Sequence, residues 1–60
     1  MNTKLLKVID VGLVLGIPSR GVYRLIRQRR LAAIRVGRLL RVLEGDLNTY
    51  IEEQRKRGVL

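Results

Sequence analysis

The sequence predicts one mainly α domain carrying a small β-hairpin, and three observations predict it. Two short helical stripes of apolar residues are separated by the tight turn Gly16-Ile17-Pro18. Two runs that alternate aliphatic residues with arginine flank Gly37-Arg38. A third helical stripe follows Glu44, with acids at its start and cations at its end. The 60 residues allow a single domain over 1–60, with a core from about residue 5 to about 54 and a short basic tail over 55–60. A chain this short buries only about 60% of the surface that its unfolded state exposes, so a stability of a few kcal/mol is expected.

In the first element, Val8, Val11, Gly12 and Leu15 lie on one helical face. Gly16 stands where a left-handed residue ends a helix, and Ile17 then returns toward the core. The second helix begins at Pro18-Ser19, two residue types that favour helix starts, and is expected to run to about Arg29 or Arg30. Val22, Leu25 and Ile26 form its buried stripe. At about 100° per residue, Arg20, Arg24 and Arg27 cluster on the opposite side, with Tyr23 beside them.

In the segment 33–42, Ile34 and Val36 alternate with Arg35, and Leu40 and Val42 alternate with Arg41. Two strands joined at Gly37-Arg38 therefore make a hairpin. A two-residue turn would pair Ile34 with Arg41 and mix apolar with charged faces. A three-residue loop, Gly37-Arg38-Leu39, pairs Ile34 with Val42 and Val36 with Leu40. It keeps the aliphatics inside and is the expected register. It also sets Arg35 opposite Arg41, a repulsive pair unless something anionic covers it. The last helix runs from about Glu44 to about Lys56, with Leu47, Tyr50 and Ile51 as its buried stripe. Glu44 and Asp46 at one end and Arg55, Lys56 and Arg57 at the other suit the helix dipole. Glu52 with Lys56 and Glu53 with Arg57 are expected as i,i+4 pairs, and Gly58 ends the helix. The order helix, tight turn, helix, hairpin, helix is that of a winged helix-turn-helix.

Charge narrows the partner. Thirteen Lys and Arg oppose five acids, a net charge of +8 at pH 7. Eight arginines lie between Arg20 and Arg41, where no acid occurs. A solvated surface has no reason to exclude acids over such a stretch, whereas a polyanion partner does. Guanidinium groups also fit phosphates and guanine edges bidentately. The chain has no Cys and no His, which excludes disulfides and the common zinc-finger spacings. There is no Gly-rich phosphate loop, and the acids do not cluster with a nucleophile. An enzyme is not expected, nor a catalytic residue, a metal, a cofactor or a small-molecule substrate.

The apolar run 8–17 contains Asp10 and two glycines and is too short to span a bilayer. With no targeting signal read in the sequence, a cytoplasmic protein without membrane contact is expected. Two Tyr without Phe or Trp offer little for stacking unpaired bases, which weighs against an RNA partner. The turn and hairpin signals weigh against one continuous membrane-active helix.

The four segments, in order, resemble a known family. Val8-Ile9-Asp10-Val11-Gly12-Leu13-Val14-Leu15-Gly16-Ile17 is similar to the first helix and turn of the excisionase-type, MerR-like winged helix domains. Val22-Tyr23-Arg24-Leu25-Ile26-Arg27 resembles their recognition helix. Leu31-Ala32-Ala33-Ile34-Arg35-Val36-Gly37-Arg38 with Leu40-Arg41-Val42 resembles their wing, and Asp46-Leu47 with Tyr50-Ile51 their closing helix. The resemblance covers about residues 5 to 52. The chain departs from the pattern at Lys7, where a Ser or Thr cap is usual, and at Ile9 and Leu13, where acids are common. It departs also at Gly21, Leu40 and Leu43, where a Thr, an aromatic and a Pro are usual nearby.

The resemblance implies a sequence-specific binder of double-stranded DNA. Some members are phage or plasmid recombination directionality factors, which bind and bend repeated attachment-site DNA and turn an integrase toward excision. Others are transcriptional regulators. A domain of this size, without a dimerising coiled coil, is most similar to the excisionase group, with a small repressor or activator of the same fold as the alternative. The implied recognition-helix contacts are Ser19, Arg20, Tyr23, Arg24, Arg27 and Gln28, with Gln28 a backbone contact at most. Arginine can read guanine O6 and N7, and Ser19 sits where a helix start offers N–H groups to phosphate. The implied wing contacts are Arg35, Gly37, Arg38 and Arg41, with Arg38 at the tip directed to the adjacent minor groove or its phosphates. Arg29 and Arg30 are backbone contacts at most, and Arg55-Lys56-Arg57 is chiefly a helix-end dipole feature. Ile9 and Leu13, outside the buried stripe, are candidates for contact with a further copy assembled cooperatively on DNA. The tail over 55–60 is the candidate contact for an integrase.

Overall fold

A computed structural model describes residues 4–58. The first three residues of the expected 1–60 domain and the last two of the 55–60 tail lie outside the described residues. The elements are β1 (Leu5–Lys7), α1 (Val8–Leu15), α2 (Ser19–Arg27), β2 (Ile34–Val36), β3 (Leu39–Leu43) and α3 (Glu44–Arg57). They form a winged helix-turn-helix, and the sheet has three antiparallel strands in the order β1-β3-β2. The first strand is an addition to the expected hairpin. It pairs Leu5 with Leu43, Leu6 with Val42 and Lys7 with Arg41. Three residues are too few to show alternation, and only Leu6 packs against the core.

That core is wholly aliphatic: Val8, Val11, Val22, Leu31, Val42 and Leu47 are buried, and no polar side chain is buried among the described residues. Leu15, Ile17, Leu25, Ile26, Leu40, Tyr50 and Ile51 pack around it. The buried stripes of α1, α2 and α3 are thus the predicted ones. Leu31, 2% exposed, lies between elements, where periodicity does not single it out. The α1–α2 turn is closed by Gly16 at φ 73° and by the Gly12 carbonyl, which accepts the Ile17 N–H at 3.0 Å. A Cβ on Gly12 would lie 2.6 Å from the Ile17 carbonyl oxygen. Only glycine admits this approach.

Three expectations need correction. The second helix ends at Arg27, not at Arg29 or Arg30. Arg29 takes φ 58°, and is the only non-glycine at positive φ among the described residues. Its N–H donates to the Ile26 carbonyl at 3.0 Å, and the Arg30 N–H to the Leu25 carbonyl at 2.9 Å. These two bonds define a Schellman motif with arginine where glycine is usual. The reversal delivers Leu31 to the core, and that burial outweighs the continuing helix propensity of the arginines.

The hairpin closes through a two-residue turn, pairing Ile34 with Arg41, Arg35 with Leu40 and Val36 with Leu39. Arg35 and Arg41 are therefore not opposite one another, and Ile34, Val36 and Leu39 are exposed. Register is dictated where one strand face is buried, but β2 is exposed throughout. The turn decides instead. Gly37 has φ 63° and Arg38 is not at positive φ, the sign pattern of a type II′ turn, whose twist matches that of paired strands. Finally, Glu52 pairs with Arg55 at 3.1 Å, and this exposed i,i+3 contact is the one ion pair among the described residues. The expected Glu52–Lys56 and Glu53–Arg57 pairs are not formed. Exposed pairs of this kind contribute about 0.5 kcal/mol or less, so little energy selects among them.

Two substitutions should move stability in opposite directions. Gly12→Ala forces α1 from the Ile17 carbonyl and should cost about 1–3 kcal/mol, enough to leave much of the protein unfolded. Arg29→Gly relieves a left-handed arginine and should add about 1 kcal/mol, raising the melting temperature by roughly 4–8 °C. Thermal melts followed by circular dichroism check both.

Candidate nucleic-acid interface

The site is built on α2 and on the hairpin beside its first turn. Burial of Val22 with Leu25 and Ile26 turns Arg20, Tyr23, Arg24, Arg27 and Gln28 outward, and all five are exposed. Ser19 is half-buried at the helix start, where Pro18 supplies no side-chain cap. On the hairpin, Arg35, Gly37 and Arg38 are exposed. Arg41 is half-buried and its guanidinium donates to the Leu40 carbonyl at 2.8 Å.

Ser19, Tyr23, Arg35, Arg38 and Arg41 line one cleft between α2 and the hairpin. Val8, Ile9, Leu39 and Leu40 also line it. Arg20, Arg24 and Gln28 do not line that cleft, and Arg27 lines a separate depression with Arg29 and Ile26. Ile9 thus belongs to the basic cleft, whereas Leu13, 76% exposed, and Val14 lie outside it.

Lys7 is a cleft residue that sequence reasoning does not reach. It immediately precedes α1, gives that helix no side-chain cap, and lies directly opposite Arg41. A cation at a helix N-terminus and like charges paired across strands both oppose folding. An anion in the cleft reverses both effects. The available signal is a lysine where the resembling domains have Ser or Thr, but its meaning depends on β1.

The cleft can take a phosphate backbone. It joins ammonium and guanidinium groups, a hydroxyl and a phenol to the uncapped starts of two helices, whose free N–H groups favour anions. Among the described residues no group of carboxylates, His or Cys is arranged to hold a metal. Among the described residues no helix is long and apolar enough to cross a membrane.

Residues 5–55 match a family model described as a helix-turn-helix domain. The chain belongs to this family, which is a DNA-binding one. No curated protein and no solved structure matches the chain.

DNA binding by this surface should weaken steeply with salt. With roughly six phosphates neutralised, a plot of log K against log salt should have a slope of about −5. A titration by fluorescence anisotropy measures it, and a slope near zero contradicts an electrostatic interface.

Proposed function

We propose that this helix-turn-helix protein is an excisionase, which binds repeated attachment-site DNA, bends it and directs an integrase toward excision. The observation that carries the docking mode is the shared cleft, in which the start of α2 and the wing meet over one basic surface. In this mode α2 enters the major groove with Arg20, Arg24 and Arg27 toward the base edges, and Gln28 meets the backbone. Ser19 and Tyr23 meet the phosphates beside the wing. Arg38, at the turn beyond Gly37, reaches the adjacent minor groove, and Arg35 and Arg41 hold its flanking phosphates. A narrowed minor groove attracts arginine, so wing insertion favours bent DNA.

The excisionase role is supported over that of a small repressor or activator by the family resemblance and by α1. Leu13 and Val14 are 76% and 61% exposed, and two neighbouring aliphatics outside the DNA cleft suit a contact with the next copy along tandem sites. Such a contact is heterologous and open-ended. The sequence offers Ile9 and Leu13 for such a contact; because Ile9 lines the basic cleft, the surface proposed here is Leu13 with Val14. An in-vitro recombination assay with the integrase of the same element tests the role. Excision that requires the protein, with footprints on repeated sites, supports it. Occupancy of a promoter with altered transcription and no effect on recombination makes the protein a regulator.

Two variants test the assignment of surfaces. Arg24→Ala or Arg27→Ala should relax base preference, at a cost of about 1–3 kcal/mol where the arginine is bidentate to guanine. Arg38→Ala should weaken specific and non-specific binding about equally where Arg38 touches phosphate. Equal behaviour of helix and wing variants in competition binding overturns the docking mode.

A second test concerns cooperativity. The protein should be monomeric alone, because its +8 charge is self-repelling, and cooperative on tandem sites. Leu13→Glu with Val14→Glu should remove that cooperativity while leaving folding and single-site affinity nearly unchanged. Unaltered cooperativity in a two-site gel-shift titration places the contact elsewhere, with the 55–60 tail as the next surface to test.

A further inference from the structure

We infer that the protein carries a second phosphate-backbone site at the far end of α2, which holds the DNA strand across the major groove from the one beside the wing. The inference rests on the DNA-binding mode proposed above. Arg29 and Arg30 follow α2, while Lys56 and Arg57 close α3, so they are far apart in sequence. The fold brings all four into one cleft, which they line together with Gln54 and Glu53. None of the four cations makes an ion pair among the described residues, although Glu53 lines the same cleft. Arg29 also lines the depression that contains Arg27. Arg27, Arg29, Arg30, Lys56 and Arg57 therefore lie in adjoining depressions, although Arg29 and Arg30 also line one with Asp46 and Glu53.

Position gives the site its ligand. The nine residues of α2 span roughly 13 Å at about 1.5 Å per residue, close to the major groove width of about 12 Å. The wing cleft takes in the first turn of α2, through Ser19 and Tyr23. The second cleft begins two residues beyond its last turn. A helix crossing the groove with these two ends meets one sugar-phosphate backbone at each. Arg29 also holds a sparsely populated left-handed conformation, the kind of strained position that clusters at ligand sites. Three guanidinium groups and an ammonium placed beyond the end of the helix, rather than on the face that meets base edges, are suited to phosphate, which fixes register and carries no sequence information.

The test uses the full chain on a duplex with one binding site, with ethylation interference and a salt titration. Wild type should show two sensitive backbone segments, one on each strand bordering the groove. Lys56→Gln with Arg57→Gln should abolish the segment far from the wing, keep the other, and leave base preference intact. The salt slope should become shallower by about one for each phosphate that is no longer neutralised. Arg29→Gly, which should fold at least as well by thermal melting, should show a smaller effect of the same kind. One sensitive segment in wild type, or variants with unchanged slope and interference pattern, overturns the inference while leaving the wing-and-helix mode standing. Variants that bind one duplex normally but no longer join two also overturn it, since the cleft then serves a second duplex. A wild type without salt-dependent binding removes both readings.

Discussion

The close approach at Gly12 governs what this domain can present. The Gly12 carbonyl collects the N–H groups of both Gly16 and Ile17, and its Cα faces the Ile17 carbonyl at a distance that no side chain tolerates. Those contacts make the turn between α1 and α2 short, and a short turn fixes their crossing. With the crossing fixed, Val22 must enter the core beside Val11, and the arginines opposite Val22 must face outward. The outward face of α2 is thus set by a backbone contact several residues away, and among the described residues no side-chain hydrogen bond or ion pair ties Arg20, Arg24 or Arg27 to the scaffold.

A core this small has to support a large adverse charge. Six buried aliphatics hold the fold, with no buried polar network to add specificity and one exposed ion pair among the described residues. Several cations sit where folding alone disfavours them: Lys7 at the start of α1 and opposite Arg41, and Arg29 in the left-handed region. Each lies at a cleft that a phosphate can fill. Stability and binding are then linked by mass action, because a ligand that binds only the folded state stabilises it. The isolated domain is the less stable end of that equilibrium, and DNA supplies the counter-charge that the sequence omits.

What is legible in the sequence follows from where burial is one-sided. The bounds of α1, the glycine that ends it, and the buried stripes of α2 and α3 are all readable, because in each the apolar residues have a single helical face to fill. The outward arginines of α2 follow from the same periodicity. β1 is not readable, since Leu5-Leu6-Lys7 is too short to show a period and its partner lies some 36 positions on, at Val42 for Leu6. The end of α2 depends on Leu31 reaching the core, a tertiary demand that overrides local propensity. The grouping of Arg29 and Arg30 with Lys56 and Arg57 depends on how α3 packs back, and Lys7 acquires its meaning only once β1 places it beside Arg41.

Sequence logic seeks to bury Ile34 and Val36, but the core needs only Leu40 and Val42 from the hairpin, and β3 delivers them whatever β2 does. The wing is therefore positioned by its turn and by β3, while α2 is positioned by the core itself. An exposed strand that contributes no buried residue has little to hold it to a single geometry, and local opening there costs least. A helix gripped by the core can present Arg20, Arg24 and Arg27 at fixed positions, as reading base edges requires. An arm held chiefly by its own hairpin can follow a backbone whose path varies with sequence and bending. In the proposed mode the rigid element carries the base-reading arginines, and the compliant one follows the minor groove and its flanking phosphates. That division arises because the small core has enough aliphatic surface to fix one of the two elements and not both.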